Sequence, residues 1–380
     1  MNLLDRYIFR SALFTCIAAV TVLAFVMMTV NVVRDLIGPG LAGQISLADC
    51  ARLVLLLVPF VLSYALPMGM LTGALLALGR LSADSEITAM RASGMSLFRI
   101  ARPILLMGFV GAVAGLPINF EYMPWARVQY DRELTTAVRA NPLNFIVPRT
   151  FIRDFPGFVA YVGEKQGNEL KDIWLWELDA GKRVTRFVRA AAGHLDYAEA
   201  TNEFILTLDQ AQVETRNEKD PENFAEAEPV GTFEKLEPMR LPLDQLFGRS
   251  GPRQKLAWMT FAELKREHAR IAALKVPPGQ TNMQLRDEMK VAITIQNKFN
   301  TAILVLSFAF IAVPLGIKVS RRETSANLAV AVGLALGYYF LTVMVSWLDP
   351  YPQYRPDILI WLPNLFLFVI GGWLFRRIGS

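Results

Sequence analysis

The sequence predicts a membrane α-helical bundle, six transmembrane helices in a 3+3 arrangement, with an extracytoplasmic all-β, jellyroll-like domain inserted between the halves. Three observations predict it. Six apolar stretches (Ser11–Val33, Leu53–Leu78, Ile104–Ile118, Ala302–Ile317, Leu328–Trp347 and Ile358–Phe375) reach or approach the ~20 residues that a helix needs to cross a bilayer. The long segment between the third and fourth stretches is mostly polar and carries short runs of aromatic and β-branched residues. Lys and Arg gather at alternate ends of the apolar stretches, as they do in multi-pass membrane proteins.

Composition agrees with this class. The chain is 53% hydrophobic and 19% charged, with a mean hydropathy of +0.33, on the apolar side of any soluble domain. The net charge of +5 is spread over the ends of the spans rather than gathered in a patch, which argues against a nucleic-acid partner. The first stretch is too long for the apolar region of a signal peptide and no small-residue cleavage site follows it, so it is expected to remain as helix 1. Cys16 and Cys50 fall at opposite membrane depths, and no disulfide between them is expected.

The elements follow in order. Residues 1–125 hold helices 1–3. Helices 2 and 3 carry glycine pairs four residues apart, Gly69/Gly73 and Gly111/Gly115, and helix 5 repeats the pattern with Gly333/Gly337; such spacing lets helix backbones approach closely. Pro59, Pro67 and Pro314 are candidate kinks. Phe120, Tyr122 and Trp125, or Ile293 and Ile295, can complete the short third and fourth spans. Residues 126–290 form the insert. Strands are expected at Phe158–Val162, Ile173–Leu178, Val184–Val188, Phe204–Leu208 and Ala211–Thr215, with turns at Gly181-Lys182 and Ala200–Asn202, a spacing that favours an antiparallel sandwich or jellyroll. The acidic run Glu218–Glu228 reads as a solvated loop. Thr260 and Glu263 form a capping box that opens a helix, Pro277–Gly279 breaks the chain, and a second polar helix from about Met283 feeds into helix 4. Residues 291–380 hold helices 4–6.

Charge sets the orientation. Arg6 and Arg10, then Arg80, Arg91, Arg99 and Arg102, then Lys318, Arg321 and Arg322, then Arg376 and Arg377 mark one side; the alternate loops are nearly free of basic residues. Both termini are therefore expected in the cytoplasm and the insert outside, with Trp125, Trp347, Tyr351 and Trp361 as an outer aromatic belt.

Chemistry-bearing residues are sparse. The middles of the spans carry almost no charge, which argues against an ion-driven carrier. His194 has no Cys or second His to make a metal site with it, no nucleophile–base pair stands near either membrane face, and no cofactor is expected. At the outer end of helix 1, Asn31 and Arg34 stand one turn apart. Arg34 is either a snorkelling anchor or a ligand for an anionic headgroup. On the cytoplasmic side, Ser82 or Asp84 can open a short helix that Gly94 stops. Its acids suit an anionic membrane surface poorly, so it reads as a docking helix for another protein, with Asp84, Glu86, Ile87, Met90 and Arg91 as candidate contacts. The chain has no phosphate-binding Gly-x-x-x-x-Gly-Lys-Ser/Thr loop, so any ATPase is a separate subunit.

The chain resembles the LptF/LptG (YjgP/YjgQ) permeases of the lipopolysaccharide export ABC transporter. The resemblance rests on Leu4-Asp5-Arg6-Tyr7, the loop segment Leu81–Gly94, Met259–Leu264, Val313–Gly316 and Trp361–Asn364. It implies an inner-membrane protein of a Gram-negative bacterium, paired with a second homologous permease subunit or with itself. The pair would sit on a cytoplasmic ATPase dimer. Lipopolysaccharide would be extracted from the outer leaflet and passed to periplasmic jellyroll bridge proteins. It also implies that Glu86 contacts the ATPase from the coupling helix, and that Arg34 matches a residue touching lipid A phosphates; Asn31 stands where some members carry lysine. A lipoprotein- or macrolide-export permease would carry its large domain after helix 1 instead. A non-transport membrane scaffold would leave the loop helix without a purpose.

Overall fold

In the computed structural model of the protein, the described residues are 3–37, 40, 45–140, 148–152, 157–179, 181–198, 203–216, 229–236, 238–242, 255–273, 281–319 and 324–379. Among them, six helical segments are long and apolar enough to cross a membrane: Leu3–Asp35, Leu47–Ala83, Leu97–Leu134, Met283–Ile317, Leu328–Ser346 and Pro356–Ile378. The chain divides into two compact units, one of Met1–Val33, Leu53–Tyr130 and Lys255–Ser380, the other of Arg34–Arg52 and Asp131–Gln254.

The first unit is helical. Helix α1 (Leu3–Asp35) is followed by α2 (Leu47–Ala83), the short α3 (Glu86–Ala92) and α4 (Leu97–Pro117). A π turn, Ile118–Tyr122, carries α4 into α5 (Met123–Ala140). Beyond the insert come α6 (Phe261–Ala272), α7 (Thr281–Val319), α8 (Thr324–Ser346), α9 (Pro356–Leu359) and α10 (Leu362–Gly379). The third and fourth membrane helices run further than hydropathy alone indicates. Polar residues at the ends nearest the insert face inward rather than ending the helix: Asn119 is 3% exposed, Lys298 6% and Asn300 0%. The helices continue through Pro59, Pro67 and Pro314.

Close packing explains two of the three glycine pairs. A Cβ on Gly73 would lie 2.4 Å from the Cα of Cys16, and one on Gly69 2.7 Å from the Cα of Val20, so α1 rests directly on the backbone of α2. Gly111 lies against the Val305 side chain and Gly115 in van der Waals contact with Ala302, so α4 packs closely on α7. The third pair differs: among the described residues nothing lies within 4 Å of a Cβ at Gly333 or Gly337. Leu336 and Phe340 beside them are exposed, as are Phe14 and Phe25 on α1.

The second unit is an antiparallel sheet. Its described strands are β1 (Phe151–Ile152), β2 (Phe158–Gln166), β3 (Glu169–Leu178), β4 (Val184–Ala198), β5 (Glu203–Thr215), β6 (Gly231–Lys235) and β7 (Met239–Pro242). They lie in sequence order from β1 to β6, and β7 pairs with the half of β5 that β6 leaves open. The turn expected at Gly181-Lys182 is present, with Lys182 at φ 64° and Asp179 accepting the Arg183 backbone N–H. Glu218–Glu228, Ala200–Asn202 and Pro277–Gly279 lie outside the described residues.

One feature governs the sheet. In β3, β4 and β5 the buried side alternates every second residue except at a single level, where buried positions are three apart: Leu170 and Ile173, Ala190 and Gly193, Leu208 and Ala211. The strand register brings the extra residues Asp172, Ala191 and Gln210 side by side. Asp172 and Gln210 both have φ 52°. Such extra residues bend a strand and raise its twist. Here they crease the sheet along a line, and residues from both sides of it (Val162, Ile173 and Val188 with Leu170, Leu195 and Leu206) fill one core.

Candidate functional site

The loop segment between the second and third membrane helices departs from its expected caps. Helix α2 runs to Ala83, so Ser82 lies inside it and donates to the carbonyl of Ile317 at the end of α7 (3.1 Å). Neither Ser82 nor Asp84 caps α3. The N-cap position is Ser85, in a left-handed conformation (φ 61°) with no side-chain cap bond. The far end is as expected. Gly94 has φ +85°, its N–H reaches the Arg91 carbonyl, and the Met95 N–H reaches the Met90 carbonyl, which closes the last turn of α3 as a left-handed glycine stop does.

Of the five predicted contacts, Ile87 (2% exposed) and Met90 (7%) are buried within this chain's own core, in a cluster that includes Ile8, Ala12, Leu81 and Ile100. They hold α3 to the bundle, as the apolar side of a two-turn helix lying on a bundle does. Asp84 and Arg91 are exposed, and Glu86 is half-buried. The Tyr7 hydroxyl donates to Glu86 Oε1 at 3.1 Å, and Arg91 donates to the Ile378 carbonyl at 3.0 Å. Helix α3 is thereby tied to α1 and α10, and the exposed Thr88, Ala89 and Ala92 give it a flat outer face.

At the other end of α1, Asn31 is 7% exposed and donates to the Met27 carbonyl of its own helix (2.8 Å). The Arg34 side chain is 63% exposed and meets Asp35 through two bonds, Nε to Oδ1 at 2.7 Å and Nη2 to Oδ2 at 3.0 Å. An anion at Arg34 must therefore compete with Asp35.

Three residues escaped the sequence reading. Tyr7 stands in the quoted Leu4–Tyr7 segment but gives no sign of its partner. Lys298 lies where hydropathy places the end of a polar helix, yet its ammonium is buried and donates to the Asn119 carbonyl in the π turn (2.9 Å) and to the Ala257 carbonyl (3.1 Å). Asn119 accepts from Ser63 and donates to the Gly115 carbonyl, so the π turn, α2 and α7 share one polar knot. Arg127 stacks over Phe60 at 4.4 Å, with its Nε buried and without a hydrogen bond among the described residues. For each, only tertiary structure supplies the partner.

Comparison with known proteins adds to this geometry. The profile of a family described as "Lipopolysaccharide export system permease LptF/LptG" matches residues 6–377. The lipopolysaccharide export system permease protein LptF of Escherichia coli K12 is 27% identical over 209 residues, 54% of this chain and 56% of that protein. LptG of Haemophilus influenzae is 25% identical over 197 residues, 50% of this chain and 53% of its own. The chain thus spans about half the length of these relatives.

Proposed function

The chain belongs to the LptF/LptG family of lipopolysaccharide export system permeases, and from that premise we propose that it is the permease subunit of an ABC transporter. In this reading it sits in the inner membrane with both termini cytoplasmic and the β-domain periplasmic. It pairs with a second permease subunit through helix faces such as that of Gly333 and Gly337. It extracts lipopolysaccharide from the outer leaflet and hands it to periplasmic jellyroll proteins, and a separate cytoplasmic ATPase supplies the energy. The observation that carries the reading is α3: a short helix at the base of the bundle, stopped by Gly94 and fastened to α1 and α10, with Glu86 at its edge.

Mechanistically, a basic group of the ATPase pairs with Glu86, and the Tyr7 hydroxyl then exchanges its bond or shares the carboxylate. Since Tyr7 belongs to α1, each change at the ATPase reaches the helix that carries Asn31 and Arg34 at its outer end. Arg34 exchanges Asp35 for a lipid phosphate, a bidentate bond of similar geometry. The test uses proteoliposomes with the partner subunits present. Glu86→Ala is expected to insert normally, to weaken ATPase association at least about thirtyfold, the lower end (about 2 kcal/mol) of what truncating one member of a partly buried charge pair costs, and to slow glycolipid release. Asp287→Ala removes an exposed, ion-paired acid on α7 and serves as the comparison. Undiminished association and release in Glu86→Ala would remove this residue from the mechanism.

A further inference from the structure

The outer face of the creased sheet carries a surface that this reading leaves unused. The register places Phe151, Tyr161, Trp174, Arg189, Gln212 and Thr232 in one row across six strands. Trp176 and Phe187 lie beside it, and the rings touch: Phe151 to Tyr161 at 5.2 Å, Trp174 to Trp176 at 5.8 Å, Trp176 to Phe187 at 5.4 Å between centroids. The aromatic half of the row runs into an open cleft of about 780 Å³ along the crease, lined by Asp172, Arg189, Gln210, Gln212 and Glu234 among others.

Part of the cleft is already ordered. The Trp174 indole N–H donates to Asp172 Oδ1 at 2.7 Å, and the Arg189 guanidinium lies 4.9 Å over the Trp174 ring and 3.7 Å from Asp172. The rest is unspent: among the described residues no hydrogen bond engages the side chains of Gln210, Gln212 or Glu234. Asp172 and Gln210 also hold φ 52°, where glycine would cost least. Two side-chain-bearing residues are kept in a strained backbone region where both line one cleft, the pattern expected of a binding surface.

We propose that this cleft and its aromatic shelf bind a neutral saccharide, the sugar portion of a glycolipid. A pyranose ring has an apolar C–H face and a rim of hydroxyls. Aromatic rings take the face, while the rim is taken by planar amides, which donate and accept, and by carboxylates, which accept from hydroxyls. Anionic headgroups fit worse, because the cleft holds Asp172 and Glu234 against the single guanidinium of Arg189, which already faces Asp172. Acyl chains fit worse still, since they would strand the amides and carboxylates without partners. The inference rests on the export reading only for the source of the sugar.

The experiment uses the full chain in nanodiscs, with maltotetraose and the β-linked tetrasaccharide of N-acetylglucosamine as soluble probes. Saturation-transfer NMR is expected to show transfer to the ring C–H protons of at least one of them. Gln212→Ala and Arg189→Ala are expected to weaken binding about tenfold each, the scale of one lost hydrogen bond. Gln210→Gly relieves the left-handed backbone, so it is expected to keep or raise the melting temperature and still lose binding; a purely structural role predicts no loss. Binding of neither probe would overturn the proposal, as would binding unchanged in all three variants, or crosslinks from position 212 that capture only a protein. The assay needs no ATP and no partner, so its failure counts against the cleft alone. A failure of export in the reconstituted system would count against the transport reading and leave the cleft standing.

Discussion

At the scale of single residues, the most consequential side chain is one that hydropathy conceals. Lys298 has its ammonium on two backbone carbonyls, one in the π turn and one at Ala257. Lys298→Met keeps the length and removes the donor, so both carbonyls lose a partner; the expected cost is about 1–3 kcal/mol for each acceptor left dry. Thermal unfolding in detergent should show it, and an unchanged melting temperature would mean that water replaces the ammonium. The glycines give a sharper contrast. Gly73→Ala forces a methyl into the backbone of α1 and is expected to destabilise by about 1–3 kcal/mol. Gly337→Ala meets open space and gains helix propensity, so the isolated chain is expected to be unaffected or up to about 1 kcal/mol more stable. Equal effects at the two positions would show that the α1–α2 contact is not held closely. The identities of these glycines were legible in the sequence, but which of them is covered was not, because that depends on the neighbouring helix.

At the scale of elements, the stops and caps were read correctly where the signal is local. The Thr260–Glu263 capping box is formed on both sides, and Gly94 ends α3 with its left-handed backbone. The start of α3 was misread because Ser82 has a distant acceptor at Ile317, which no local pattern reveals. The strands were found as halves. Expected segments end at Val162 and Leu208 and begin at Ile173 and Ala211, which are the positions flanking the crease; across it the buried side recurs at three residues rather than two, and a rule based on alternation stops there. The β3–β4 turn offers a test by pH. Asp179 is held below the usual aspartate range by the Arg183 backbone N–H, and its side chain also receives the Arg183 guanidinium. A carboxyl with a depressed folded value stabilises above its unfolded value, about 3.9, and that contribution is lost as pH falls through the folded value. Amide protection factors around Leu178 and Val184, measured against the intrinsic rate at each pH, are therefore expected to be high near neutrality and to fall at acid pH. Asp179→Asn should remove this dependence.

At the scale of the whole molecule, alternation of basic loops predicts that single cysteines at positions 40 and 219, introduced after Cys16 and Cys50 are replaced, react with an impermeant reagent in intact cells, and that cysteines at 93 and 322 react only after lysis. Labelling of 93 with protection of 219 would reverse the orientation and the export reading with it. The 3+3 plan with an inserted β region was legible because span length and charge are long-range averages over many residues. The polar knot around Asn119 and the outer-face cleft were not, because each depends on residues far apart in sequence coming into register. The crease has a historical consequence. Deleting Ala191 alone would turn Gly193 and Leu195 to the opposite face while β3 and β5 kept theirs, and the same holds for Asp172 or Gln210. No single deletion can flatten the sheet without exposing half a strand's core residues, and neighbouring strands would have to lose their extra residue together. Once acquired, the crease is therefore expected to be inherited as a block, and descendants of this domain should vary in loop length and surface chemistry while keeping strand lengths fixed across that line.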